Sequence, residues 1–186
     1  MDTVELARYL VGKIAVHDTD GGRLSGRIVE TEAYPVGDSA GHAFRGETPR
    51  NASLFLARGH AYVRFTYGSS FLFNVTSEAA GVGAGVLLRA LEPLEGIDLM
   101  QRFRGGARLL DLARGPGRLA EAMQIDFRQD GIDLCAPGPL WLATSRLKTG
   151  VIGESVRIGL TRNVDRKLRF YERGNSFVSG PRRLRE

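Results

Sequence analysis

Two β-type runs, Lys13 to His17 and Leu24 to Thr31, flank the segment Asp18-Thr19-Asp20-Gly21-Gly22. Its Asp-Gly pair supplies the backbone conformations of a tight hairpin turn, so this stretch has little choice but to enter an antiparallel sheet. The same logic recurs downstream. Ala61 to Thr66 and Phe71 to Val75 read as strands on either side of a second tight turn, Tyr67-Gly68-Ser69-Ser70. Gly85 to Leu91 is a near-continuous apolar strand interrupted by one charge, Arg89. Further strand candidates are Leu140 to Thr144, Val156 to Leu160 and Leu168 to Tyr171. Helical patterns are fewer and shorter. Thr3 is placed to cap an amphipathic helix from Val4 to Val11 that Gly12 closes, and Gly96 to Phe103, Arg118 to Met123 and a short Asn51 to Ala57 follow. The expectation is a mixed α/β fold: a mostly antiparallel, curved sheet with peripheral helices.

At 186 residues, with no linker, repeat or low-complexity tract, the chain suits one domain spanning residues 1–186. Cys135 is the single cysteine, so no intrachain disulfide forms, and His17, His42 and His60 lack the spacing of metal ligands. No metal and no cofactor are expected. No apolar stretch reaches the ~20 residues of a membrane span, and the acidic start Met1-Asp2-Thr3-Val4-Glu5 does not read as a secretory signal. Cytoplasmic residence is therefore the expectation, with no membrane association.

Net charge is +5, and the basic side of the balance is 23 Arg against three Lys. Residues 157–186 hold nine basic residues and three acidic ones, an excess of six that is larger than the net charge of the whole chain. Arg102, Arg104, Arg108, Arg114 and Arg118 form a second cluster, with Asp111 among them. Such clusters suit a polyanion, although solvated surface arginine gives the same count. Arginine binds phosphate bidentately and stacks on bases.

The chemistry concentrates in Gly26-Arg27-Ile28-Val29-Glu30-Thr31-Glu32-Ala33-Tyr34, followed by His42 and Thr48-Pro49-Arg50-Asn51. The strand-like run ends at Thr31 and delivers Glu32 into a segment that no longer reads as sheet. A carboxylate beside two flat π-surfaces, Tyr34 and His42, suits a base held out of a nucleic acid stack while water attacks its sugar. Each residue also has a plainer reading: Glu32 as a solvated glutamate, Tyr34 as a core aromatic, His42 as a loop histidine bonded to backbone. Arg89, inside an apolar strand, needs a carboxylate or an ordered polar partner, Glu92 nearby being the structural choice. The mostly polar loop from Pro35 to Pro49 is long enough to favour a functional role.

Thr31-Glu32-Ala33-Tyr34 with His42 resembles the base pocket of the alkyladenine DNA glycosylase (3-methyladenine DNA glycosylase) family. The resemblance runs through Leu6-Ala7-Arg8-Tyr9-Leu10-Val11-Gly12-Lys13, Gly115-Pro116-Gly117-Arg118-Leu119, Arg157-Ile158-Gly159 and Leu168-Arg169-Phe170-Tyr171-Glu172-Arg173-Gly174. It implies that Glu32 and Arg89 hold an attacking water, with a backbone carbonyl from the strand carrying Ile158. Tyr34, His42, Arg64, Asn74 and Leu87 would form the base pocket, Asn74 limiting entry of normal guanine, while Tyr67 would wedge into the stack left by the flipped nucleotide. The implied activity is monofunctional DNA N-glycosylase chemistry on alkylated or deaminated purines (3-methyladenine, 7-methylguanine, hypoxanthine, ethenoadenine). The implied partner is double-stranded DNA containing damaged purines, met by a monomer in the bacterial cytosol or nucleoid. Lys13, Lys148 and Lys167 lie outside the motif, which argues against a Schiff-base lyase. The competing class is a non-catalytic module that binds damaged DNA. Two positions depart from the family pattern: Arg64 stands where a second stacking tyrosine is usual, and Ser69 and Ser70 follow Gly68 where bulkier residues are common.

Overall fold

A computed structural model describes residues 1–66 and 68–184. The first helix, α1 (Thr3–Leu10), is capped by Asp2 rather than Thr3: the Asp2 carboxylate accepts the N–H groups of Val4 and Glu5, and the Glu5 carboxylate accepts the Asp2 N–H in return. Thr3 instead begins the helix and uses its hydroxyl on Ser77 and Glu78.

The expected hairpin forms from β1 (Ile14–Thr19) and β2 (Gly22–Tyr34), with Thr19 opposite Gly22 across the two-residue turn. The remaining strands are β3 (Ala61–Thr66), β4 (Ser70–Thr76), β5 (Gly85–Glu95), β6 (Leu140–Ala143), β7 (Ile152–Ser155) and β8 (Arg169–Glu172). They join one curled antiparallel sheet in the order β3-β4-β5-β2-β1-β6, while β8 pairs with the far end of β2 and carries β7. The mixed α/β, mostly antiparallel reading therefore holds. Helices α2 (Ile97–Phe103) and α3 (Pro116–Ala122) pack against each other and against β2, β4 and β5. The 51–57 segment makes only a 3₁₀ turn, Ala52–Phe55.

Two further sequence expectations change. First, β2 does not end at Thr31; it runs to Tyr34, so Glu32 and Tyr34 are sheet residues. Polar side chains blur a strand signal, but here both edges of β2 are occupied, Glu32 lying between Leu87 of β5 and Arg169 of β8. Second, 156–160 is irregular, and the strand lies just before it at Ile152–Ser155. Gly159 takes φ +79°, a left-handed turn that ends any extended run.

Two compensating bulges shape the centre of the sheet. Ile28 faces Leu91 and Glu30 faces Ala90, so Val29 is an extra residue on β2; Thr31 then faces Leu88, so Arg89 is an extra residue on β5. Bulges re-aim side chains. Here they bring Arg89 alongside Glu30 and Glu32, which share a face because they are two residues apart.

On the other face, Thr31 donates to the Ala7 carbonyl of α1, and Leu6, Leu10, Ala33, Val63, Phe73, Val75, Val86, Leu88 and Phe170 belong to the main apolar core. No helix among the described residues is long and apolar enough to cross a membrane.

Candidate active site

Strand register lines up one row of side chains across the sheet. Tyr62 pairs with Asn74, Asn74 with Leu87, Leu87 with Glu32, Glu32 with Arg169, and Arg169 with Ser155. Directly opposed residues project to the same face, so Tyr62, Asn74 and Leu87 lead straight to Glu32.

Glu32 is fully buried. Its Oε1 accepts the Ile158 N–H at 2.8 Å and faces Arg89 Nη1 at 3.1 Å, while its Oε2 accepts the Tyr34 hydroxyl at 2.9 Å. A carboxylate has about four acceptor positions, so these donors leave room for one more on Oε2. Arg89 reaches Glu30 Oε1 through Nε at 2.7 Å. Glu30 also takes Arg169 Nε at 2.7 Å, the Ser179 N–H at 2.6 Å and the Ser179 hydroxyl at 3.0 Å. The result is a buried set of two carboxylates and two guanidiniums, neutral overall. Burial pushes the Glu30 carboxyl pKa up, and the Arg89 and Arg169 charges and the Ser179 bonds overcome that, so the net shift is downward. Desolvation opposes the Arg89 charge, yet Glu32 and Glu30 together raise its pKa further. Val29, Ala90, Tyr171 and Val178 form an apolar cluster beside the set.

Above this network lies a cavity of about 390 Å³, within the usual range for small-molecule sites, roughly 300–1,000 Å³. Tyr34, Arg89 and Ile158, the three groups that hold Glu32, line it; so do His42, Asn74 and Leu87. Tyr62 lines it too and is 2% exposed. The Tyr34 ring carries Arg157 on one side, Cζ to centroid 4.6 Å. Desolvation and the nearby Glu32 charge raise the Tyr34 pKa, which keeps the phenol protonated as a donor.

His42 stands edge-on to Tyr62, ring centroids 6.0 Å apart, with its Nδ1 3.3 Å from the Tyr62 hydroxyl. Desolvation in the pocket wall, and then the Arg64 charge, lower its pKa to about 4. More than a third of His42 is open to solvent, which moderates this shift, but its direction leaves the imidazole neutral at pH 7. Asn51, itself buried, donates from Nδ2 to the His42 carbonyl at 3.0 Å and accepts the Thr48 N–H at 2.6 Å, pinning the loop that carries the histidine. Asn74 donates to the Tyr62 carbonyl at 3.1 Å.

Arg64 is half-buried, two residues along β3 from Tyr62 and on the same face, but does not line the cavity. It does not pair with Glu32, whose partners are those above. Glu92, the alternative partner for Arg89, instead binds Arg27 at 2.8 Å. Ile158 is on the irregular segment after β7 and donates its N–H to Glu32. Tyr67 lies outside the described residues.

The residues that sequence reasoning missed are Glu30, Arg169, Ser179 and the buried pair Asp38–Arg157. Glu30 had a signal, since a second carboxylate at the i−2 position of a strand shares the face of Glu32. Ser179 had none, because 149 positions separate it from Glu30. The arginine-rich surface is also more internally paired than its composition implies: Arg108 and Arg118 share Asp111, Arg104 binds Glu121, and Arg157 and Arg169 are buried.

A fixed, desolvated carboxylate with one open acceptor position, under a cavity walled by flat rings, can orient a water and oppose positive charge developing at a bound sugar. The methylpurine-DNA glycosylase family model matches residues 1–176. A relative from Mesorhizobium japonicum, named "Putative 3-methyladenine DNA glycosylase", is 64% identical over 185 residues, covering 100% of this chain and 89% of its own length. One of the same name from Paraburkholderia phytofirmans is 56% identical over 184 residues, covering 99% of this chain and 86% of its own length. Another, from Carboxydothermus hydrogenoformans, is 40% identical over 179 residues, covering 96% of this chain and 94% of its own length. The chain belongs to the methylpurine-DNA glycosylase family.

Proposed function

We propose, from that family membership and the geometry around Glu32, that this protein is a monofunctional 3-methyladenine-type DNA glycosylase. It takes a damaged purine out of the duplex into the cavity and hydrolyses the N-glycosidic bond, leaving an abasic site. The observation that carries the reading is the single open acceptor position on a buried carboxylate whose three donors also line the cavity. A water there would give its proton to Glu32 as its oxygen bonds to C1′, while the pair of electrons in the glycosidic bond leaves with the base. The negative charge of Glu32 also offsets the oxocarbenium-like charge on the sugar. Arg89 holds the carboxylate in place; Tyr34 and His42 flank the purine.

The proposed substrates are 3-methyladenine, 7-methylguanine, hypoxanthine and ethenoadenine. A neutral His42 supports stacking of both cationic and neutral bases, since it adds no charge of its own. Asn74 borders the cavity with its amide nitrogen committed to the Tyr62 carbonyl, and its bulk is the proposed steric limit on the exocyclic amine of guanine. Water as nucleophile is supported by the lysines: none lines the cavity among the described residues, and Lys13 lies over the Tyr9 ring instead. We further propose that residues 1–186 act as one domain and as a monomer.

The test is direct. Duplexes carrying hypoxanthine or 3-methyladenine are incubated with the protein, and abasic sites are cleaved with alkali. Strand scission that depends on the lesion and on Glu32 supports the reading. Tight binding without scission would favour a damage-binding module.

A further inference from the structure

Besides Arg89, Arg157 and Arg169 are buried beside the site, and they are bonded very differently. Arg169 places Nε on Glu30, Nη1 on Ser155 and Nη2 on the Ser179 carbonyl. Such complete pairing is what a structural guanidinium needs. Arg157, whose side chain is 0% exposed, uses Nη1 alone, on Asp38 Oδ2 at 2.5 Å and on the Ala33 carbonyl at 3.0 Å. Its Nε and Nη2 find no hydrogen-bond partner among the described residues. Burying donors in this way is costly and needs a reason. The reason on view is the guanidinium's place over the Tyr34 ring, with Cζ 4.6 Å from the ring centroid.

Asp38, also buried, is the other half of the pair. Its Oδ1 accepts Asn163 Nδ2 at 2.5 Å and the Ala40 N–H at 3.0 Å. The pair therefore ties three walls of the cavity together. Asp38 sits in the loop that leads to His42; Ala33 lies between Glu32 and Tyr34; Arg157 immediately precedes Ile158, whose N–H holds Glu32.

We infer that Arg157 and Asp38 form a positioning pair that fixes the Tyr34 ring against Glu32 and so sets both the stacking gap for the base and the aim of the carboxylate. Neither residue touches the reacting atoms. Arg157 acts through Tyr34: it presses the ring from behind while the ring's hydroxyl stays on Glu32 Oε2. Lysine cannot substitute, since an ammonium can pair with Asp38 but cannot lie flat on the ring and reach Ala33 as well.

This inference rests on the proposed glycosylase activity, and the experiment separates the two. Single-turnover excision of hypoxanthine at saturating protein, affinity for a lesion-free duplex, and thermal melting are measured for the wild-type protein, Arg157→Lys and Asp38→Asn. The expected result is a rate slower by about 10- to 100-fold in both variants, the scale of a misplaced positioning group, with cooperative melting and duplex affinity kept. The deciding measurement repeats Arg157→Lys in a Tyr34→Ala background. A residue acting through Tyr34 loses its effect there, so the second substitution should slow the residual rate less than about twofold. Equal slowing in both backgrounds, a wild-type rate in both single variants, or failure of both to fold would each overturn the positioning role. Absence of excision by the wild-type protein would overturn the glycosylase reading instead.

Discussion

Glu32→Gln tests the site most directly, because the structure separates its two expected effects. Glu30, Glu32, Arg89 and Arg169 form a neutral set in which no side chain is more than 7% exposed. Removing one anion leaves a buried excess charge. At 3.1 Å the Arg89–Glu32 attraction is worth about 5 kcal/mol gross, taking an effective dielectric constant of about 20. Removing one partner of a buried pair costs about 3–5 kcal/mol net. Glutamine can still accept from Ile158 and Arg89 with its oxygen and donate to the Tyr34 hydroxyl with its nitrogen, so the lower end, about 3 kcal/mol, applies. For a 186-residue chain the unfolding entropy is roughly 0.4 kcal/mol/K, and the melting temperature should fall by about 8 °C.

The rate effect should be far larger than that. The amide cannot take the proton from water, so single-turnover excision at about 25 °C should fall by about 10²–10⁴-fold while the protein stays folded. Glu30→Gln supplies the control. It makes the same charge change in the same network, but Glu30 is held by Arg89, Arg169 and Ser179 rather than by Tyr34 and Ile158; a glutamine keeps one oxygen for both guanidiniums and the Ser179 hydroxyl but turns a donor toward the Ser179 N–H, and it removes the anion that two cations share. It should melt lower than Glu32→Gln yet excise faster. Excision by Glu32→Gln within about tenfold of wild type, below the range expected for an acid–base group, removes Glu32 from the chemistry. Equal slowing in the two variants would mean that network charge, not the carboxylate at the cavity, controls the rate.

Three further outcomes are expected. Arg64→Tyr should raise excision of cationic 7-methylguanine relative to neutral hypoxanthine by several-fold, because a guanidinium near the Tyr62–His42 wall opposes a cationic base and a phenol attracts it by about 0.5–2 kcal/mol; an unchanged or reversed ratio of single-turnover rates refutes this. Neutralising the exposed Arg108, Arg118 and Arg128 should weaken binding to lesion and lesion-free duplexes alike. The slope of log Kd against log salt should flatten by about 0.9 for each phosphate no longer neutralised, whereas an unchanged slope puts the DNA on another face. On acidification, His42, with its pKa lowered, takes up protons more readily unfolded than folded, so stability should decline as pH drops from 6.5 toward about 4. Glu30 and Asp38, also lowered from 4.5 and 3.8, add a steeper decline below those values. Melting temperature against pH checks the sign, and Glu30→Gln should blunt the acid limb.

What the sequence disclosed and what it hid follow one physical division. The two hairpins were legible because an Asp-Gly turn and alternating apolar residues are local signals, and β1, β2, β3 and β4 lie close to where those signals put them. Glu32, Tyr34 and His42 were legible as a group because they lie within one short stretch. The end of β2 was not. Its last residues are held by pairing with β5 and β8, and β8 arrives more than 130 positions later in the chain. The same is true of the groups behind the site: Ser179 and Arg169, which hold Glu30, and Arg157, which lies over Tyr34, are brought in by the fold alone.

That division bears on how the site works. Had Glu32 ended on a loop, as its polar neighbours suggest, its carboxylate would swing and water would satisfy it. Placed in register between Leu87 and Arg169, it sits in the same cross-strand row as Asn74 and Tyr62, so backbone ladders set the spacing between the proposed base and the proposed general base. Adjacent strands lie about 4.8 Å apart, which places Asn74 two strands, roughly 10 Å, from Glu32. A purine lying along that row would reach from an amide that reads its edge to a carboxylate beside its sugar. Under the proposed function, the register of β2, β4 and β5 would itself be part of the specificity. A one-residue slip in β4 would turn Asn74 to the opposite face and replace it with Phe73 or Val75, leaving Glu32 and Arg89 untouched.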